Sequence, residues 1–467
     1  MSCADGDGIN LCPPTSRPWN RSPSEPVMLS MVCSSWRKTA ISTPQLWSVV
    51  RLENSTQLNS EVAAERLGQM TEVFMTRART SPLTIRISDF WGPGISKMYP
   101  TGVDRALEAL CQRSLQWVDV DFTQCSPSFC GVPAFRNIKG SFPNLRKIAI
   151  EADGLLGFKK FGVIFDGSQC PVLKEVELAG VRDRQDQLLR TFSWEGIEHF
   201  KIWHSSALDG GPSPLVFVSM CPELKSLDFS LYFGGASSSE VRPLTSNIES
   251  LILQIIHTPW ADTTWVPFLD RVTLPRLSEL MIIKYLSDKR IGDISPLLQC
   301  ISRSLCIITS LSIGSSNLSK QQNYDLLSHI PGLTFLSIYD DDPDRLSAYV
   351  QSGNPMKDFL DLLLIDRTST TGTQTRDPAP RLLPRLRTLS AEPVGTSEQD
   401  VDTLQRAVAS RWTPDAAEAA RIGVDCLRRA WITFRRKSRF DASSAHPLPE
   451  LKLLNALKEE GLKVSFR

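Results

Sequence analysis

A curved parallel sheet backed by helices and loops, with a small helical segment in front of it, is the α/β architecture that this sequence predicts. Three observations lead there. An apolar pattern, L-x-x-L-x-L with Val, Ile or Phe admitted, recurs along most of the chain. Six of its copies come after an apolar-Pro-x lead-in, most of them at regular steps. Stretches of helical spacing lie between several copies, so that strands alternate with return segments.

The bulk composition permits such a fold and narrows the function. The chain has 467 residues, 41% hydrophobic and 22% charged, enough apolar mass for a large buried core. Its 52 Lys and Arg balance 51 Asp and Glu to a formal charge of +1, which removes the electrostatic argument for nucleic acid or an anionic membrane as partner. No stretch approaches the roughly 18 unbroken apolar residues that a spanning helix needs, and the start carries acids where a secretory segment would be apolar. A cytoplasmic protein is expected. The 11 Cys are scattered without a Cys-x-x-Cys and read as reduced core thiols.

Along the chain, residues 1–26 are rich in Pro, Ser, Gly and Asn and read as a flexible leader. From Val27 onward, Leu29, Val32, Cys33, Trp36 and Ala40 keep the spacing of one helix face. Thr43-Pro44 stops that helix. Pro44 can open a new short turn, because its missing N–H would be unpaired there anyway, and the turn presents Leu46 and Trp47. A second helix is predicted over 61–79, with Ala63, Leu67, Met70, Phe74 and Ala78 on one face and Ser60 as its cap.

Beyond Ser81 the repeated units are Leu115/Val118/Val120, Leu145/Ile148/Ile150, Leu173/Val176/Leu178, Ile197/Phe200/Ile202 and Leu224/Leu227/Phe229. They continue as Ile248/Leu251/Leu253, Leu277/Leu280/Ile282, Ile308/Leu311/Ile313, Leu333/Leu336/Ile338 and Leu386/Leu389/Ala391. A single match carries nothing, since three apolar positions at 41% coincide at about 7% of starting points. Spacing and punctuation carry the case. The lead-ins are Phe142-Pro143, Cys170-Pro171, Cys221-Pro222, Leu274-Pro275, Ile330-Pro331 and Leu383-Pro384, and from Leu173 onward the marked units step by 51, 53, 56 and 53 residues. Units at Ile197, Ile248, Ile308 and Phe359/Leu362/Leu364 bisect those gaps, giving a period of 24 to 31 residues. That period is near the range of leucine-rich repeats, with one short strand and a return segment each. It predicts a leucine-rich-repeat-like horseshoe over 81–467, with outer units at Leu83/Ile85/Ile87 and Leu427/Ala430/Ile432. Return segments 103–111, 215–220, 265–269, 294–301 and 324–329 read as helical. The position where such repeats carry Asn or Cys holds Thr123, Asp153, Val181, Ser205 and Ile256, so an asparagine ladder is absent or degenerate.

Residues 26–52, PVMLSMVCSSWRKTAISTPQLWSVVRL, resemble the second half of the F-box of fungal F-box proteins, with its V-C-x-x-W-R-x-x-A and T-P-x-L-W elements intact. The next helix, ending in RARTSPLTIRI, resembles the segment after the box in that family. Residues 1–26 hold no Leu-Pro-x-Glu-Ile helix of the kind that opens the box, so a partial box is assigned to 27–52 and a linker helix to 53–80. The resemblance implies a substrate-receptor subunit of a cullin-RING (SCF-type) ubiquitin ligase. Val32, Trp36, Pro44, Leu46 and Trp47 would then face a Skp-type adaptor, while the repeats recognise a protein substrate. The alternative is a repeat scaffold that binds its partner without assembling a ligase. Plain hydrophobic core competes for each of those five residues, since large apolar side chains are mostly inside.

Residues between the strand leucines fall on the opposite face of the sheet, the broad concave surface of a solenoid. There the sequence places Trp117, Asp119, Asp121, Lys147, Glu151, Glu175, Glu177, His199, Lys201 and Trp203, with Phe335 and Tyr339 further along. Exposed Trp and Tyr are enriched at binding hot spots, which favours a protein partner over a small molecule. No catalytic, cofactor or metal site is expected. The acidic run 340–344 lacks the turn glycine and closing Glu of a cation loop. His199 and His204 stand apart from any Ser or Cys nucleophile motif, and Gly92-Pro93-Gly94 lacks the third glycine of a dinucleotide loop. The basic run 435–439 resembles a minimal nuclear address, although such runs are usually a solvated edge.

Overall fold

The computed structural model describes residues 25–53, 61–88, 101–124, 134, 138, 142–151, 169–179, 193–203, 214–231, 242–256, 266–285, 292–315, 317–340, 355–365, 382–393, 398–434 and 451–466. The described strands are β1 (Val49–Glu53), β2 (Leu83–Ser88), β3 (Trp117–Gln124), β4 (Lys147–Glu151), β5 (Glu175–Ala179), β6 (His199–Trp203), β7 (Ser226–Leu231) and β8 (Leu244–Thr245). They continue with β9 (Ser250–Ile256), β10 (Val272–Thr273), β11 (Glu279–Tyr285), β12 (Ser310–Gly314), β13 (Phe335–Tyr339), β14 (Thr388–Glu392), β15 (Arg429–Ile432) and β16 (Lys463–Phe466). Fourteen of them form one sheet in which each strand lies beside its predecessor in the chain; β8 and β10 pair separately. Every pairing is parallel.

The apolar pattern explains this arrangement. The second position of each unit is in register from strand to strand, through Ile148, Val176, Phe200, Leu227, Leu251, Leu280, Leu311, Leu336 and Leu389. The third position forms a second such row, and both rows are buried in one continuous core. A slip of one residue would turn a whole apolar set to solvent.

The Pro-marked lead-in is a turn. The carbonyl of its first residue accepts the N–H of the leading Leu three residues on, at 3.1 Å for Phe142 to Leu145 and for Ile330 to Leu333. Pro at the second position supplies the fixed φ that such turns require. One carbonyl per rung then accepts two consecutive N–H groups of the next rung. Arg146 takes Lys174 and Glu175, Lys174 takes Glu198 and His199, and the series runs on to Arg387, which takes Arg428 and Arg429, at 2.7–3.1 Å throughout. In the middle of the sheet, hydroxyls reinforce this line. Ser278 donates to the Glu249 carbonyl at 3.2 Å, Thr309 to Ser278 at 3.3 Å, and Thr334 to Thr309 at 3.1 Å. One buried asparagine braces the sheet, one residue beyond the position where a ladder would place it. Asn317 Nδ2 donates to the Ile282 carbonyl at 3.0 Å, and Gly314 leaves the room, since a Cβ there would lie 2.7 Å from Asn317 Oδ1.

The helices are α1 (Glu25–Val32), α2 (Ser34–Ser42), α3 (Glu61–Ala78), α4 (Thr101–Cys111), α5 (Pro214–Met220) and α6 (Val266–Arg271). After them come α7 (Ser295–Ser304), α8 (Lys320–His329), α9 (Pro355–Leu363), α10 (Glu398–Arg411), α11 (Ala416–Ile422) and α12 (Lys452–Glu459). Each of the five return segments predicted as helical contains a helix among its described residues. None of the described helices is long and apolar enough to cross a membrane. Two arginines tie the C-terminal ends of neighbouring helices, whose last carbonyls lack intrahelical partners. Arg303 donates to the Leu269 and Val272 carbonyls at 2.5 and 2.7 Å. The buried Arg411 donates to Leu363, Leu383 and Leu382 at 2.7, 2.9 and 2.9 Å. Burial pulls its guanidinium down to about 10, which leaves it charged at neutral pH.

Several sequence expectations are corrected. The sheet starts at Val49, inside the segment assigned to the box, and runs to Phe466. The helix predicted from Val27 is broken at Cys33, whose backbone is extended, so Val32, Cys33 and Trp36 stay exposed and Ala40 alone of the stripe is buried. The unit at Leu115/Val118/Val120 is read two residues early. Leu115 is exposed, and Trp117, Val120 and Phe122 occupy the core positions. Phe359, Leu362 and Leu364 belong to α9 and its end, not to a strand. On α3 the buried line is Ala64, Gly68, Thr71, Phe74, Met75 and Ala78, while Met70 faces solvent. The cause is α4, which crosses with its backbone against α3. A Cβ on Gly102 would come within 2.1 Å of the Ala64 carbonyl. Arg105 of α4 then clamps Glu65 and Glu72 of α3, at 2.5 and 2.6 Å. The leader up to residue 24, Ser60, Cys125 and Cys130 lie outside the described residues.

This packing makes two stability predictions. Leu280→Asp places an unpaired charge in the core row and should cost about 4 kcal/mol or more, read as loss of cooperative melting; an unchanged melting temperature would mean that the register is wrong. Arg411→Met keeps the buried volume but orphans three carbonyls, and should lower urea-unfolding stability by about 3 kcal/mol or more.

Candidate functional site

Alternation along the strands builds the solvent face of the sheet as rows of side chains. One row runs Asp119, Lys147, Glu175, His199 and Ser226, each residue in register with the next. The adjacent row runs Arg51, Arg86, Asp121, Ala149, Glu177, Lys201 and Asp228. Charged neighbours in both rows mostly alternate in sign. Arg86 forks onto Asp119 and Asp121 at 3.1 Å each, Lys147 meets Glu175 at 3.1 Å, and Lys201 meets Asp228 at 3.5 Å. Gln254 Nε2 donates to Asp228 Oδ1 at 2.6 Å. Such partly exposed pairs contribute about 0–1 kcal/mol each; their importance here is the pattern of charge. Asp119, Asp121, Glu175, Glu177 and Asp228 outnumber Arg51, Arg86, Lys147 and Lys201, so this half of the face is net acidic.

Packing between strands shifts these groups. Burial pushes the carboxyls of Asp119, Glu177 and Asp228 up, against the pull of Arg86 and Lys147 on Asp119 and of Lys201 on the other two. Burial pulls Lys147 down, but its hydrogen bond to Glu175 and the surrounding carboxylates outweigh it, and the amine ends up raised.

From β9 onward the same face changes character. Ile252, Met281, Ser310, Ser312, Phe335, Ser337, Thr388 and Ser390 are half-buried, and Trp431 is exposed. The Phe335 and Trp431 rings lie 5.9 Å apart, across the small side chains of β14. Tyr339 turns its hydroxyl onto the Ile282 carbonyl at 2.7 Å.

The residues assigned to the two predicted surfaces divide. Val32 and Trp36 are 65% and 53% exposed, Pro44 and Leu46 half-buried. Trp47 is fully buried and is corrected from a surface anchor to a core residue. Its Nε1 donates to the Ala40 carbonyl at 2.6 Å, Phe74 meets its ring edge-on at 5.0 Å, and the Arg77 guanidinium covers it at 4.2 Å. Trp117 is likewise corrected. It is 1% exposed, donates from Nε1 to the Leu110 carbonyl at 3.2 Å, and packs against Phe142. Both indoles bond the carbonyl seven residues back, in the preceding helix. Asp119, Asp121, Lys147, Glu175, Glu177, His199, Lys201, Phe335 and Tyr339 all lie on the solvent face, partly or wholly exposed. The side chains of Trp203 and Glu151, and residues 92–94, 204, 341–344 and 435–439, fall outside the described residues.

Arg86, Asp228, Gln254 and Trp431 were missed as site residues. Arg86, Asp228 and Trp431 sit between two core positions of their strands, so the alternation that selected the others also points to them. Among the described residues, no cluster of metal-ligating side chains is present. Burial pushes the Cys111 and Cys221 thiols up to about 12, which keeps them protonated at neutral pH. No family model matches the chain, and no curated protein matches it.

The raised carboxyls carry a pH prediction. Where a folded-state carboxyl titrates higher than in the unfolded chain, the folded state holds protons that the unfolded state has released, so stability falls as pH rises through that window. For Asp228 the window opens at the ordinary 3.8 and closes at its raised value. Asp228→Asn removes that contribution, so urea midpoints should fall less between about pH 4 and pH 7 than in the parent chain; an equal fall in both would contradict the assignment.

Proposed function

We propose that this chain is a protein-binding receptor of the F-box type. In this reading a leucine-rich-repeat horseshoe holds a protein substrate, α1 and α2 meet a Skp-type adaptor of a cullin-RING ubiquitin ligase, and the chain performs no chemistry of its own. The supporting observation is the apolar surface of two short helices. Met31, Val32 and Trp36 are more than half exposed, with Met28 close to half. Helices of eight and nine residues gain most of their stability from packing, and leaving such side chains in water marks an interaction surface. On the sheet, the acidic rows suit a substrate bearing Lys and Arg, and the Phe335–Trp431 pair offers an aromatic anchor further along the same face, past β9, β11 and β12.

One observation favours the second reading, a repeat scaffold that assembles no ligase. Trp47, one of the five residues assigned to the adaptor surface, is consumed by the array.

Co-expression with a Skp-type adaptor separates the two. On the first reading a complex elutes together in size exclusion, Trp36→Asp abolishes it without changing the melting temperature, and Trp47→Asp unfolds the N-terminal end of the sheet. Absence of any complex, or a complex indifferent to Trp36→Asp, leaves the scaffold reading in place.

A further inference from the structure

At the C-terminal end of the sheet two like charges face each other, as Arg51 and Arg86 do on β1 and β2, but here no carboxylate among the described residues pairs with either. Arg429 and Lys463 are direct neighbours in register on β15 and β16, and like charges placed opposite one another on adjacent strands repel. Arg428 precedes Arg429, and Arg385 sits in the lead-in turn one rung back. All four cations are exposed, and none makes an ion pair among the described residues. They line a cleft of about 950 Å3 together with Trp412 and residues of α11. The acid in the lining is Asp425, which Arg387 already holds at 2.8 Å. α11 contributes Ala416, Ala419 and Ala420, whose small side chains keep the cleft open.

We infer that this cleft binds a small ligand carrying phosphate groups. The volume lies in the range of small-molecule sites. Guanidinium groups match phosphate oxygens two at a time, and a bound polyanion relieves the repulsion between Arg429 and Lys463. In a chain of formal charge +1, four cations around one concavity with no ion pair among the described residues are a local concentration that overall charge does not explain. Elsewhere on the sheet neighbouring cations are offset by carboxylates: Arg86, which faces Arg51, closes on Asp119 and Asp121, Lys174 and Lys225 both close on Glu198, and Lys147 closes on Glu175.

The test is calorimetric titration of the full chain with sodium pyrophosphate, inorganic phosphate and ADP, beside sodium chloride at matched ionic strength. Saturable one-to-one binding of pyrophosphate is expected, weakened at least about tenfold in Arg428→Gln/Lys463→Gln and unchanged in Arg66→Gln on α3. ADP binding more tightly than pyrophosphate would assign the natural ligand to the phosphate esters; the reverse order would assign it to free phosphates. If the double variant melts at a lower temperature without ligand, Arg385→Gln alone gives the same reading. The inference is overturned if matched chloride gives the same response, if the variants bind like the parent, or if an oligoglutamate peptide binds where pyrophosphate does not.

Discussion

In a parallel sheet with one buried face, a one-residue slip between neighbouring strands carries every apolar side chain of a strand into water, and this chain prevents the slip in the same way at rung after rung. A turn closed from an apolar carbonyl to the leading Leu fixes where a unit begins. The carbonyl one residue after that Leu then takes two N–H groups of the next rung. With both points set, the next two core positions have nowhere to go but inside. The hydroxyls of Ser278, Thr309 and Thr334 tighten the same line where the rungs carry no charged pair. Because each rung is positioned by the one before it, the sheet is a sum of local contacts, as expected of a stacked array.

The two tryptophans at the N-terminal end show how that register reaches beyond the strands. Trp47 and Trp117 take the leading position of their units, and each indole returns to the carbonyl seven residues earlier. A helix end and a strand start are thereby held at one distance, with the ring as the spacer. An indole is large enough to fill that corner, and its N–H satisfies a carbonyl that burial would otherwise strand. The same chemistry that makes tryptophan a good interface residue makes it a good corner residue. Residue type alone does not distinguish the two.

That ambiguity sets the limit of what the sequence shows. The strands from Leu145 to Ile432 were legible because an apolar period, a proline and a fixed spacing agreed; most solvent-face residues were legible through alternation. At β3 two frames fit equally, Leu115/Val118/Val120 and Trp117/Val120/Phe122, and only packing against Leu110 and Phe142 selects the second. Along α3 the apolar stripe pointed to Met70. The backbone contact at Gly68 and Gly102, which depends on side chains that are missing, rotated the buried line instead. Phe359 and its neighbours fit a strand pattern and a helix pattern alike; the helix buries Met356, Phe359, Leu360 and Leu363 together, four apolar residues that a strand would have divided between two faces.

Charge on the solvent face obeys the same geometry as the core. Register places a residue beside one particular residue of the next strand, so a mismatch cannot be relieved by sliding; it is relieved by choosing the partner's sign, by small residues between, or by something bound. From β2 to β7 the chain chooses signs, with Ala149 interrupting the row between Asp121 and Glu177. From β12 to β14 it places Ser and Thr between the aromatics. At β15 and β16 it does neither, although a glutamate in place of Lys463 would meet every backbone requirement of that rung. A stacked array repeats its backbone and varies its side chains, so a position where the repeated solution is abandoned at an electrostatic cost is where a ligand becomes the simplest explanation.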